Sequence, residues 1–191
     1  MRQAAFLDLN GTLVEPLKPE RLDQLVLMPD VVGSVARLTA AGFICPVVTV
    51  QSRIAKGLFT LEEFEVWFSG FAADLALGGA IVVGPYVCPH RFAEPCACKK
   101  PSTLLYERAA REHGIDATAS FVIGDSPDDV RAARRLGAGG CLVRTGWAVD
   151  HRVVEEACAD ATAVLPSFRM AVDWILAGQV PPNDLTAQPP G

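Results

Sequence analysis

The sequence predicts an α/β fold, a doubly wound parallel sheet flanked by helices, and three observations lead there. Apolar runs of strand length recur at residues 4–7, 43–50, 80–87, 120–123 and 141–143. Between them lie stretches with apolar residues at helical spacing, most of them closed by glycine at Gly42, Gly78-Gly79, Gly114 or Gly137. Several of the runs end abruptly in polar turn residues, as at Asp8-Leu9-Asn10-Gly11 and Gly124-Asp125-Ser126. Strands alternating with helices in this way build a parallel sheet.

Taken in order, residues 4–7 form the first strand, and Asn10, Gly11 and Thr12 end it. Residues 15–28 carry two prolines and mixed charge and read as a loop long enough to cover part of a site. Asp30 is placed as the N-cap of a helix whose stripe is Val31, Val35, Leu38 and Ala41. In the next strand, Pro46 fits only near the start or at a bulge. Thr60 and Glu63 form a capping box for a helix running to about Leu77, with Leu61, Phe64, Phe68, Phe71 and Leu75 as its core stripe. Gly84-Pro85 interrupts the third strand, and Ser102 caps a helix that ends at His113-Gly114. A further helix runs through Leu136, and helical patterns cover residues 153–159 and 167–176. Cys45, Cys141 and Cys158 read as buried or half-buried hydrophobes.

The bulk properties narrow the class. With 191 residues, half of them apolar and a fifth charged, the chain can bury one sizeable core. One domain is expected over residues 1–178 and a disordered tail over 179–191, which is rich in Pro, Gln and Asn. A net charge of −5 opposes nucleic-acid binding, which needs a basic face. No apolar run approaches the ~20 residues of a membrane span, and no signal peptide opens the sequence. A cytoplasmic, monomeric enzyme is expected, with neither nucleic acid nor membrane as partner.

In this topology Asp8, Thr49 and Asp125 fall at carboxyl ends of strands, on the one sheet edge where open α/β sheets bind ligands. Lys100 precedes Pro101 at an expected helix start, so a cation and free N–H groups would face the same crevice. Two carboxylates, a hydroxyl and an ammonium describe a phosphate site with a divalent cation. Mg²⁺ prefers carboxylate oxygens and leaves room for phosphate and water, while lysine and threonine hold phosphoryl oxygens. The ligand this chemistry suits is a small phosphorylated metabolite.

Cys88, His90, Cys96 and Cys98 fall within eleven residues. In a reducing compartment such crowding points to metal, and three thiolates with one imidazole complete a tetrahedral structural Zn²⁺ site. Its expected role is to fold a loop too short for a core of its own, next to Lys100.

The segments FLDLNGTL, VVTVQS, KKP and VIGDSPDDV resemble, as a set, the four motifs of the haloacid-dehalogenase-like (HAD) phosphohydrolases, over residues 4–147. The resemblance implies that Asp8 is the nucleophile that forms an aspartyl-phosphate. It implies that Asp8, the Asn10 backbone carbonyl and Asp125 ligate Mg²⁺, with Asp129 supporting them, and that Thr49 and Lys100 bind the phosphoryl group. CPH with CACKKP, VVTVQSRIAKG and LVRTG resemble the zinc-loop branch of D-glycero-D-manno-heptose 1,7-bisphosphate and histidinol-phosphate phosphatases, which lacks a large cap domain. Val50, Gln51, Ser52 and Lys99 then fall beside the phosphate or the substrate. The implied activity is a Mg²⁺-dependent phosphatase, acting on a sugar phosphate such as the heptose bisphosphate, with histidinol phosphate as an alternative.

Three residues depart from that pattern. Val50 replaces Asn, and Lys99 replaces Arg, which removes bidentate recognition. Asn10 replaces the Asp that serves as general acid and then base, and loss of such a group costs typically ~10²–10⁴-fold in rate. Three readings follow from Asn10: an engineered Asp-to-Asn variant, a weak or inactive phosphate-binding homologue, or a phosphatase for leaving groups that need no proton, such as acyl phosphates and phosphoramidates.

Overall fold

Each of the five apolar runs contributes a strand in the computed structural model, which describes residues 1–178. Strand β1 (Ala5–Leu7) leads into a hairpin of β2 (Val14–Glu15) and β3 (Val26–Leu27). Then come α1 (Val31–Ala40), β4 (Pro46–Val50), α2 (Leu61–Leu77), β5 (Val83–Cys88) and α3 (Leu104–His113). The chain continues through β6 (Phe121–Gly124), α4 (Pro127–Leu136), β7 (Gly139–Val143), α5 (His151–Ala157), β8 (Ala163–Leu165) and α6 (Phe168–Leu176).

Six strands form one parallel sheet in the order β5-β4-β1-β6-β7-β8. The chain winds outward from β1 through β4 and β5, then crosses back to β6 and winds outward the other way. Strand order therefore reverses at β1, and the crevice beyond its carboxyl end is where such a sheet leaves room for a ligand. Asp8 is the first residue after that strand.

Side-chain alternation along the N-terminal segment sets the two faces. Ala5 and Leu7 are buried with Val35, Leu38, Phe64, Phe68 and Val172, so α1, α2 and α6 cover one face. Ala4 and Phe6 are buried with Leu105, Tyr106, Ala109 and Ala133, so α3 and α4 cover the other. The expected capping box starts α2: Glu63 N donates to Thr60 Oγ1 at 3.1 Å and Thr60 N to the Glu63 carboxylate at 2.6 Å. Pro46 is the first residue of β4, and its register against β5 slips where Gly84-Pro85 adds a residue to that strand.

Several expectations need correction. Residues 15–28 are not a plain loop, since Val14–Glu15 pairs antiparallel with Val26–Leu27. Strand β8 was not expected; its three residues are only half-buried at the sheet edge, too few to carry a period. Lys100 does not stand directly before a helix, because α3 begins at Leu104. The N-cap of α3 is Thr103 rather than Ser102, although Ser102 Oγ accepts from Leu104 N at 3.3 Å. Asp30 occupies the N-cap position of α1 but makes no side-chain cap bond. Leu61 in the first turn of α2, Ala41 just past α1 and Cys158 just past α5 are exposed, each at a helix end where the stripe turns to solvent. The expected tail at 179–191 lies outside the described residues. Among the described residues no second domain interrupts the sheet, and no helix is long and apolar enough to cross a membrane.

Candidate active site

Because β1 and β6 are adjacent and in register, their carboxyl ends deliver two acids side by side. Asp8 N donates to Ile123 O at 2.9 Å, and Asp125 follows one residue after Gly124. Asp129 comes from the first turn of α4, where its carboxylate accepts from Ser126 N and Ser126 Oγ. The carboxylate oxygens of Asp8, Asp125 and Asp129 lie within 4.8 Å of one another. Lys100, carried in from the segment before α3, donates to Asp8 Oδ1 at 2.6 Å and to Asp129 Oδ1 at 2.7 Å.

All four groups are buried, Lys100 6% exposed and Asp8, Asp125 and Asp129 between 1% and 9%. One ammonium does not balance three carboxylates. Burial pushes Asp8 up to about 6 despite the opposing pull of Lys100, with Asp129 adding repulsion. Burial, then repulsion from Asp8 and Asp129, drives Asp125 well above the usual carboxylate range. Burial works against the charge on Lys100, but Asp129 and Asp8 hold its pKa well above normal, so it stays an ammonium. Clustered oxygen ligands with uncompensated negative charge fit a hard divalent cation.

The turn after β7 closes this pocket from the far side. Trp147 N donates to Asp125 Oδ2 at 2.7 Å, and Thr145 Oγ1 donates to Gly11 O at 2.5 Å. Gly11 (φ +90°) and Gly146 (φ +48°) both press against Asp125: a Cβ would stand 2.3 Å and 1.9 Å, respectively, from Oδ2. Only glycine meets both the backbone angle and the approach. The sequence marks this turn as Arg144-Thr145-Gly146-Trp147 after an apolar strand, but nothing in it shows a backbone N–H aimed at a carboxylate.

On the other side, Thr49 near the end of β4 and Gln51 just past it are both almost fully buried. Gln51 Nε2 donates to Thr49 Oγ1 at 3.0 Å and to Asn10 Oδ1 at 2.7 Å, while Asn10 Nδ2 donates to Pro16 O at 3.2 Å. A carbonyl only accepts, so Pro16 O fixes which way the Asn10 amide faces.

Asp8, Asn10, Thr49, Val50, Gln51, Ser52, Lys99, Lys100 and Asp125 all line one cleft of about 600 Å³, and Asp129 backs it through Lys100. Lys99 borders the cleft, but its amino group donates to Phe92 O at 2.5 Å and Glu94 O at 2.8 Å. Not singled out from the sequence are Lys18, Arg53 and Lys56, which add positive charge to the walls, and Trp147, whose ring centroid lies 4.4 Å from Lys18 Nζ.

The second cluster lies where β5 runs out. The ligand atoms of Cys88, His90, Cys96 and Cys98 lie within 4.8 Å of one another. Cys88 Sγ is 3.7 Å from Cys96 Sγ, and His90 Nδ1 is 3.2 Å from Cys98 Sγ. A disulfide needs ~2.05 Å; Zn–S bonds of ~2.3 Å in a tetrahedron put sulfurs ~3.8 Å apart. Burial pushes the Cys88 thiol up to about 12. A bound metal ion is what deprotonates a thiol in such a setting, so the donor set fits zinc.

A model of the HAD-hydrolase-like family matches residues 97–171. The D-glycero-β-D-manno-heptose-1,7-bisphosphate 7-phosphatase of Yersinia pestis is 36% identical over 166 residues, 82% of this chain and 87% of the relative. The chain belongs to the HAD-like phosphohydrolases. The Escherichia coli protein of the same name is 31% identical over 182 residues, 91% of this HAD-like chain and 88% of its own length. Among solved structures, the D,D-heptose 1,7-bisphosphate phosphatase of B. bronchiseptica, complexed with magnesium and phosphate, matches with a TM-score of 0.83 and 26% identity. That match covers 93% of this chain and 99% of the other.

Proposed function

We propose that this HAD-like protein is a Mg²⁺-dependent phosphatase of a small phosphorylated sugar, with D-glycero-D-manno-heptose 1,7-bisphosphate the first candidate, and that Cys88, His90, Cys96 and Cys98 hold a structural zinc. The protein acts as a cytoplasmic, single-domain monomer. The observation that carries the reading is the buried arrangement in which Lys100 spans Asp8 and Asp129 while Asp125 completes a three-carboxylate cluster. A merely structural cluster of this kind would hold uncompensated charge at a stability cost. At the floor of a cleft with a threonine hydroxyl and rim cations, it is suited to phosphoryl transfer.

Asp8, Asp125 and the Asn10 main-chain carbonyl would hold the Mg²⁺. When bound, the ion neutralises charge on the phosphoryl oxygens as a Lewis acid. Asp8 attacks phosphorus, forming an acyl-phosphate bond as the ester bond breaks; the electron pair leaves on the sugar oxygen, which takes its proton from water. Lys100 orients the Asp8 carboxylate and, with Thr49, binds phosphoryl oxygens; Asp129 fixes the lysine. Gln51 holds Thr49 and Asn10 in register. Asn10 orients the turn but moves no proton.

That last point favours a second reading, in which the best substrates have leaving groups that depart unprotonated, such as acyl phosphates. Phosphate release from sugar phosphates, the heptose bisphosphate and acyl phosphates, with Mg²⁺ or with EDTA, separates the readings. Release from acyl phosphates alone selects the second. An absence of Mg²⁺-dependent release from every compound, in the Asn10→Asp protein as well, overturns both.

A further inference from the structure

Among the described residues, the cleft around Asp8 contains no side chain free to exchange a proton. None of the three histidines lines it. His90 belongs to the thiol cluster, His113 Nε2 lies 3.0 Å from Tyr86 OH, and His151 pairs with Glu155 at 3.2 Å. The cleft's acids other than Asp8 are Asp125, Asp128 and Glu156. Asp125 accepts from Trp147 N and belongs to the three-carboxylate cluster with Asp8 and Asp129. Arg131 holds Asp128 at 3.5 Å and Glu156 at 2.8 Å. Lysine and arginine side chains are protonated at neutral pH and serve as no base, and Lys100 is held between two carboxylates. Beside Asp8, Asn10 is an amide with both polar atoms engaged by Gln51 and Pro16.

The two chemical steps differ in what this inventory costs them. With an acyl phosphate as donor, the Asp8 Oδ–P bond forms while the acyl O–P bond breaks. The electron pair leaves on a carboxylate, and no proton moves. In the second step water bonds to phosphorus, the Asp8 Oδ–P bond breaks and its electron pair returns to the Asp8 carboxylate. One proton must leave the attacking water, and no side chain in the cleft is placed to take it.

We propose that the chain holds the phosphoryl group on Asp8 as a persistent aspartyl-phosphate when supplied with an acyl phosphate. The second step lacks the ~10²–10⁴-fold help that a general base gives, and the first does not need it. The inference rests on Asp8 as nucleophile, as proposed above, and adds that the covalent state outlasts the transfer. The chain then behaves as a phosphorylated-or-free switch at this site, with turnover as the slow leak.

The test is intact-protein mass after incubation with acetyl phosphate and Mg²⁺ and an acid quench, run beside a phosphate-release assay. The expected result is an adduct of about 80 Da, mapped to Asp8 by peptide analysis, removed by hydroxylamine and missing from Asp8→Asn. In Asn10→Asp the adduct should fall away while phosphate release rises by ~10²-fold or more. Rapid phosphate release by the unaltered chain with no adduct overturns the persistence and leaves the proposed function standing. An adduct that maps elsewhere, or release by Asn10→Asp with neither adduct nor release in the unaltered chain, also overturns it. Neither adduct nor release in either protein overturns the nucleophile assignment itself.

Discussion

Asn10 Oδ1 accepts a 2.7 Å hydrogen bond from Gln51 Nε2, joining the turn that carries Asp8 to the strand end that carries Thr49. On its other side the Asn10 amide donates to Pro16 O. One neighbour is a donor and the other an acceptor. That pair suits an amide or a protonated carboxyl equally well, and it opposes a carboxylate, whose oxygen would face the Pro16 carbonyl.

The Asn10→Asp protein should therefore fold normally, with the introduced carboxyl biased toward its protonated form. With Mg²⁺ and a sugar phosphate, kcat should rise by ~10²-fold or more, the usual contribution of a positioned acid–base group. Its rate should decline as pH rises through the elevated pKa of that carboxyl, a limb missing from the unaltered chain. Steady-state phosphate release from pH 5 to 9 measures both.

The acidic cluster predicts a pH-dependent response to metal. Asp8 is raised to about 6 and Asp125 well above the usual carboxylate range, in both cases by burial first and then by repulsion between the carboxylates. A carboxyl raised in the fold binds its proton more tightly there than in the unfolded chain. Its stability contribution is full below the unfolded value, near 3.8, and is lost as pH rises through the folded value. Metal-free protein should thus lose the Asp8 contribution between about pH 4 and 6, and the Asp125 contribution as pH rises through its own raised value, and Mg²⁺ should restore both. The Tm gained on adding Mg²⁺ should be larger at pH 7.5 than at pH 5, by scanning calorimetry; equal gains would contradict the cluster as the binding site.

Much of this arrangement was legible before the fold, and the reason is local. Asp8 and Asp125 each end an apolar run at a polar turn, and a parallel sheet puts such ends on one edge. Lys100 was legible as a cation beside a proline, although the helix starts further on than its sequence suggests. The clamp on Asp125 was not legible, because a donor from the Trp147 backbone leaves no residue signature. Neither does the meeting of Gly11 with Gly146, which the sheet topology brings about. Strand β8 and the β2–β3 hairpin escaped for a different reason: strands of two or three residues are too short to carry a period.

Gly146→Ala tests the clamp. The substituted residue would sit at φ +48° with its Cβ in the space of Asp125 Oδ2. Strain and displacement together should cost about 1–3 kcal/mol of stability. Magnesium affinity, read by titration calorimetry, should weaken as Asp125 is pushed aside. Unchanged affinity would mean that Asp125 does not ligate the ion.

The thiol cluster makes a separate prediction. Purified protein should carry stoichiometric zinc by elemental mass spectrometry, and Cys98→Ser should lower both zinc content and stability. A loss of about 2 kcal/mol corresponds to roughly 4–8 °C in Tm for a chain of this length. Because Lys99 ties to carbonyls of the same loop and Lys100 follows it, the variant should also lose phosphatase activity. Full activity without zinc would separate the loop from the site.

The most direct measurement is Mg²⁺-dependent phosphate release from D-glycero-β-D-manno-heptose 1,7-bisphosphate by the Asn10→Asp protein, with and without the added change Asp8→Asn. Asp8 as nucleophile predicts clear release in the first protein and none above background in the second, with both folded and both binding zinc. Equal release from the two, or none from either at saturating Mg²⁺, would contradict it.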